Sequence, residues 1–127
     1  MGINNSVRVL VVDDNVILLR SIKEMLGENY AVGIAASGAQ AFTSIEKNKP
    51  DIILLDYEMP DVNGEEVFNK LRSDSSTSDI PVVFFTAGTD PDVITKLTEL
   101  SSDGYILKHP NKETIIEKIE TTLSLHA

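Results

Sequence analysis

The chain has 127 residues, the length of one ordinary domain, and 42% of them are hydrophobic, enough for one contiguous core. Its 20 acidic residues against 11 Lys and Arg give a formal net charge of -9, which disfavours direct binding to nucleic acid or to an anionic membrane surface. The lack of cysteine excludes disulfides and thiolate sites, and no stretch is apolar enough to span a bilayer. We therefore expect a single domain over residues 1–127 that functions in the cytoplasm.

Short runs rich in Val, Ile and Leu alternate with longer segments whose apolar residues recur at helical spacing, which predicts repeated strand–helix units. The first, third and fourth runs are almost entirely apolar, as expected for central strands that are covered on both faces. The predicted strands are residues 7–12, 30–35, 52–55, 81–85 and 104–107.

Each predicted strand is followed by a segment with one apolar stripe, which predicts five amphipathic helices. Ser37 and Asp90 suit the caps of the second and fourth helices, Pro91 suits the first position of the fourth, and Gly27 suits the end of the first. Five such units predict an α/β fold with a doubly wound, five-stranded parallel sheet and right-handed crossovers. The stripes are Leu18, Leu19, Ile22, Met25 and Leu26; Ala41, Phe42 and Ile45; Val67, Phe68 and Leu71; Val93, Ile94, Leu97 and Leu100; and Ile115, Ile116, Ile119 and Leu123.

Polar residues follow four of the predicted strands at the point where each strand ends. Asp13 and Asp14 follow the first strand, and Asp56 follows the third. Thr86 follows the fourth strand and Lys108 the fifth. Ligands of open α/β sheets bind beyond the carboxyl ends of the strands, so we expect these side chains to lie together. Crowded carboxylates raise one another's pKa unless a cation neutralises them, and Mg²⁺ prefers oxygen ligands, so the pattern predicts a magnesium site.

Lys108 and Thr86 extend this prediction from metal binding to phosphoryl transfer, which depends mainly on positioning and charge neutralisation. Asp56 is the candidate nucleophile, because aspartyl phosphates are known covalent intermediates. The turn at residues 59–64 exposes this carboxylate, and Glu58 is the simplest source of a backbone carbonyl for the metal.

The stretches VLVVDDN, LLDYEMPDVNG, FFTA and DGYILKHP together resemble the receiver domains of two-component response regulators, the CheY-like domains. The resemblance covers essentially the whole chain and implies a flavodoxin-like sheet with strand order 2-1-3-4-5. It implies that Asp13 and Asp14 bind Mg²⁺ and that Lys108 pairs with Asp56. In this interpretation Asp56 accepts a phosphoryl group from the phosphohistidine of a sensor histidine kinase or a histidine phosphotransfer protein.

The resemblance also implies a conformational switch and a partner surface. Thr86 and Tyr105 match the family's switch pair, in which the hydroxyl moves toward the phosphoryl group and the aromatic ring turns inward. The implied readout is the surface of the fourth helix, fifth strand and fifth helix, where a downstream protein binds. Such a domain catalyses only its own phosphorylation and dephosphorylation.

One position departs from the family pattern, in which proline directly follows this lysine, often through a cis bond. Here His109 stands between Lys108 and Pro110. A cis bond costs about 2.5 to 4 kcal/mol before other residues, against about 0.5 to 1 kcal/mol before proline. The Lys108–His109 bond is therefore either cis and strained or trans with a rearranged loop, and the Lys108 contact depends on which.

Other interpretations remain for the same residues. Asp13, Asp14 and Asn15 are also suited to helix capping, but capping does not explain Asp56 and Lys108 at the same edge. A pseudo-receiver, which uses the fold as a phosphorylation-independent interaction module, is the main alternative; the intact acidic set argues against it. A flavin protein is disfavoured because an acidic segment replaces the phosphate-cradling loop. An aspartate-nucleophile phosphatase is disfavoured because Glu58 stands where its second aspartate is expected.

Overall fold

The computed structural model describes residues 7–59, 63–108 and 110–126. Each predicted strand agrees with an observed strand to within one residue at either end. The bounds, in chain order, are β1 (Arg8–Val12), α1 (Val16–Leu26), β2 (Ala31–Ala35), α2 (Gly38–Lys47), β3 (Ile52–Asp56), α3 (Gly64–Ser73), β4 (Val82–Thr86), α4 (Pro91–Glu99), β5 (Tyr105–Leu107) and α5 (Lys112–Leu125).

Within the described residues the strands form one five-stranded parallel sheet in the order β2-β1-β3-β4-β5, which confirms the predicted fold class and strand order. The central strands β3 and β4 are buried at every position, and β1 is buried from Val9 to Val12. The edge strand β2 is only partly buried along most of its length. The long apolar runs therefore marked the central strands correctly.

Alternate side chains of each central strand point to opposite faces of the sheet and form two separate cores. One core contains Leu10, Leu55 and Phe84 and is covered by α2, α3 and α4. The other contains Val11, Leu54 and Phe85 and is covered by α1 and α5.

Local capping chemistry fixes the helix starts. The Ser37 side chain accepts a hydrogen bond from the Gln40 N–H at the start of α2. Asp90, which directly precedes Pro91, accepts one from the Asp92 N–H at the start of α4. Gly27 follows α1 as predicted, but its φ of -64° is right-handed, so the left-handed glycine turn is not what ends this helix. No helix in the described part of the chain is long and apolar enough to cross a membrane.

Candidate functional site

Two buried aspartates end adjacent strands at the centre of the sheet. Val12 of β1 is paired with Leu55 of β3, so Asp13 and Asp56, each one residue further on, lie side by side. Both are 0% exposed, so the prediction that the turn after Asp56 exposes its carboxylate is wrong. The Asp13 N–H still donates to the Ala35 carbonyl at 3.1 Å, which extends the ladder to the rim and fixes this residue's backbone.

Lys108 reaches these carboxylates from the far side of β4. Its backbone N–H donates to the Thr86 carbonyl at 2.7 Å, which fixes the residue directly after β5. Its Nζ lies 3.0 Å from Asp56 Oδ1 and 3.5 Å from Asp13 Oδ2. The ammonium group therefore bridges both acids. His109 lies outside the described residues. The question of whether the Lys108–His109 bond is cis or trans therefore also lies outside them.

One oxygen of each buried aspartate is held by the backbone two residues further on. Asp13 Oδ1 accepts from the Asn15 N–H at 2.9 Å, and Asp56 Oδ1 accepts from the Glu58 N–H at 3.2 Å. Asp side chains commonly make such local turns. Sequence analysis missed these donors, although the signal, an aspartate at a strand end followed by a turn, was available.

The other oxygens, Asp13 Oδ2 and Asp56 Oδ2, are buried and accept no hydrogen bond from the described residues. Asp13 Oδ2 has only an ion-pair contact with Lys108 Nζ, at 3.5 Å. A buried charged oxygen without a donor is costly unless a proton or a cation compensates it. Asp13, Asp14 and Asp56 each offer a carboxylate oxygen, and these oxygens lie within 4.8 Å of one another, with Asp14 at the exposed side. An all-oxygen set of this charge fits a hard divalent cation such as Mg²⁺.

The electrostatics show that Lys108 alone does not neutralise the site. Burial raises the pKa of Asp56 to about 7, opposed by its hydrogen bond with Lys108 and reinforced by the negative charge of Asp13. Burial lowers the pKa of Lys108, but the hydrogen bond and charge of Asp56, together with the charge of Asp13, outweigh this and raise it above its usual value. The lysine thus stays cationic, whereas Asp56 binds its proton more tightly than an ordinary aspartate does.

The remaining predicted residues lie around this centre. Thr86 ends β4, is 1% exposed, and accepts a hydrogen bond from the Gly88 N–H at 3.3 Å. Tyr105 begins β5, pairs with Phe84 and is partly buried against the core that contains Phe84. Glu58 is exposed. Its backbone carbonyl as a metal ligand, and Thr86 with Tyr105 as a switch pair, stay predictions.

A family model for the response regulator receiver domain matches residues 9–120. The DNA-binding response regulator MtrA of Mycobacterium tuberculosis (strain H37Rv) is 36% identical over 118 residues, which cover 91% of this chain and 50% of MtrA. A protein-glutamate methylesterase/protein-glutamine glutaminase of Trichodesmium erythraeum is 38% identical over 124 residues, covering 91% of this chain and 35% of that protein. The chain thus spans half or less of these curated relatives.

Solved structures agree with the family model. The chemotaxis protein CheY4 of Vibrio cholerae superposes with a TM-score of 0.83 at 26% identity, covering 91% of this chain and 98% of that one. A CheY-like receiver domain protein of Methanospirillum hungatei gives a TM-score of 0.83 at 28% identity, covering 94% and 95%. The chain belongs to the response regulator receiver domain family, the signal-receiving domains of two-component systems.

Proposed function

We propose that this receiver domain accepts a phosphoryl group on Asp56, in an Mg²⁺-dependent reaction, from the phosphohistidine of a sensor histidine kinase or a histidine phosphotransfer protein. The observation that carries the proposal is the unequal environment of the two Asp56 oxygens. Oδ1 is held by Lys108 Nζ at 3.0 Å and by the Glu58 N–H, whereas Oδ2 accepts no hydrogen bond from the described residues. A fixed carboxylate with one unengaged oxygen is suited to nucleophilic attack.

In the proposed reaction Asp56 Oδ2 forms a bond to phosphorus while the bond between phosphorus and the donor imidazole nitrogen breaks. The electron pair of the broken bond returns to that nitrogen. Asp13, Asp14 and Asp56 would hold Mg²⁺, which supplies positive charge for the phosphoryl oxygens when it is bound. Lys108 adds a second positive group beside the same carboxylates, and Thr86, at the end of the neighbouring strand β4, offers a neutral hydroxyl donor.

Two surfaces are proposed for partners. Exposed apolar side chains at the same rim, Val16 at 45%, Ile17 at 82% and Leu107 at 54% exposure, support docking of a protein phosphodonor beside the site. Within the proposed face of α4, β5 and α5, a groove of about 600 Å³ lies between β5 and α5, lined by Tyr105 and Lys118 among others, which suits a downstream protein. MtrA is named as DNA-binding, but the net charge of -9 argues against direct DNA contact by this chain.

Intact mass measurement after incubation with acetyl phosphate tests the proposal. With Mg²⁺ we expect the wild-type chain to gain the mass of one phosphoryl group. We expect Asp56→Asn, and wild type in EDTA, to gain none. Asp92→Asn is the matched control, because it removes an exposed carboxylate on α4, and it should gain the group like wild type. No gain in wild type, or an equal gain in Asp56→Asn, would favour the phosphorylation-independent interaction module.

A further inference from the structure

The first turn of α3 is packed directly against the backbone that carries Asp56. Gly64 begins this helix, and a Cβ at that position would overlap the Asp56 carbonyl oxygen and lie 2.8 Å from the Tyr57 Cα. The Gly64 N–H also donates to the Tyr57 carbonyl at 2.9 Å. A movement of the backbone at Asp56 or Tyr57 therefore has to move the start of α3.

The next residue, Glu65, joins two elements through its two carboxylate oxygens. Oε1 accepts a hydrogen bond from the Tyr57 hydroxyl at 3.1 Å, and Oε2 lies 3.6 Å from Lys96 Nζ on α4. The Glu65 side chain is 25% exposed and that of Lys96 is 48% exposed. The Tyr57 ring is fixed by an edge-on contact with Phe84, with 5.8 Å between ring centroids. Burial and the neighbouring Glu65 raise the pKa of Tyr57, so its hydroxyl keeps the proton that it donates.

Helix α4, which carries Lys96, has few other contacts that fix it to the rest of the domain. Among the described residues, α4 buries only Leu97, whereas each of the other four helices buries at least three residues. Val93 and Leu100 are only partly buried against the core. Because a helix with few buried contacts is displaced at a low free-energy cost, even the modest contribution of one ion pair to α3 is enough to affect its position measurably.

We propose that Glu65 is a positioning residue that couples the backbone at Asp56 to the position of α4 through Tyr57 and Lys96. The contacts are continuous, from the Asp56 carbonyl through Gly64 and Tyr57 to Glu65 and then Lys96. The signal that this coupling carries is phosphorylation of Asp56, and in that respect the inference rests on the proposed function. Because α4 forms part of the proposed partner face, the coupling links the chemistry of the site to the surface that a partner reads.

Hydrogen exchange of the α4 amides, measured with Mg²⁺ and without a phosphodonor, tests the coupling itself. We expect Tyr57→Phe, Glu65→Gln and Lys96→Gln each to speed exchange across residues 92–99 by about twofold to fivefold, the range for partly exposed polar pairs. Tyr57→Phe combined with Lys96→Gln should have less than the product of the two single effects, because both act through Glu65. Glu66→Gln, which removes the same charge from an exposed neighbour, is the control and should exchange like wild type. Equal exchange in Glu65→Gln and Glu66→Gln, or independent effects in the double variant, would overturn the proposal.

A second measurement tests the link to phosphorylation. Wild type and Glu65→Gln are brought to the same phosphoryl content by mass, and α4 exchange is compared with that of the unmodified proteins. We expect phosphorylation to change α4 exchange in wild type and this change to be lost in Glu65→Gln. A full change in Glu65→Gln would overturn the coupling. If wild type takes up no phosphoryl group, the proposed function fails, while the exchange rates without phosphodonor still decide whether Glu65 couples the two elements.

Discussion

Replacing Asp56 with asparagine should stabilise the metal-free domain at neutral and alkaline pH. The folded-state pKa of Asp56 is raised from 3.8 to about 7, so the folded protein binds this proton more tightly than the unfolded chain does. The unfolding free energy that this tighter proton binding contributes is fully present below about pH 4 and is lost as the pH rises through about 7. At 1.36 kcal/mol per unit, the loss is on the order of 4 kcal/mol. Asparagine has no charge to bury and avoids this loss.

Urea unfolding in EDTA at pH 5, 6, 7 and 8, followed by circular dichroism, measures the effect. The difference in unfolding free energy between Asp56→Asn and wild type should grow as the pH rises over this range. Asp92→Asn, an exposed acid, should show no such trend. Adding Mg²⁺ at pH 8 should stabilise wild type more than Asp56→Asn, because one proposed ligand is missing in the variant. A difference that does not vary with pH would refute the assignment of a buried, uncompensated charge to Asp56.

Three further predictions concern neighbouring residues. Lys108→Met should slow phosphoryl uptake from acetyl phosphate by about 10²-fold or more, since it removes a positive group 3.0 Å from Asp56 Oδ1, while Mg²⁺ binding by titration calorimetry should persist; an unchanged rate would contradict its role. Glu58→Asn should change the rate at which phosphorylated protein loses the group, followed by intact mass, because this exposed side chain borders Asp56, and an unchanged rate would remove Glu58 from the site. Gly64→Ala should lower the unfolding free energy by about 1 to 3 kcal/mol through overlap with the Asp56 carbonyl, and a neutral effect in urea unfolding would show that α3 is not tightly packed there.

The sequence predicted the sheet well because its central strands are runs of apolar residues with no polar face. These runs are apolar because β3 and β4 are buried at every position, with both faces covered by helices. The same reasoning placed Asp13, Asp56 and Lys108 at one edge, since the carboxyl ends of parallel strands share a rim. What it could not predict is which carboxylate oxygen is engaged. That depends on the backbone N–H groups of Asn15 and Glu58, whose directions are set by turn conformation.

The contact between Glu65 and Lys96 was also beyond sequence reasoning. The two residues lie on different helices, and charged residues at helical surfaces are too common for one pairing to be singled out. Only the packing of α3 and α4 over the same core brings them together. Helix capping was easier to predict, because Ser37 and Asp90 act within three residues along the chain.

The charges of the site belong to parts of the sheet that differ in how firmly they are held. Both buried acids end interior strands with neighbours on either side, whereas Lys108 follows a border strand of three residues that pairs with β4 alone. Border strands with one partner separate from a sheet more readily than interior ones. The spacing between the two acids is therefore held more firmly by the sheet than the distance from either acid to the lysine.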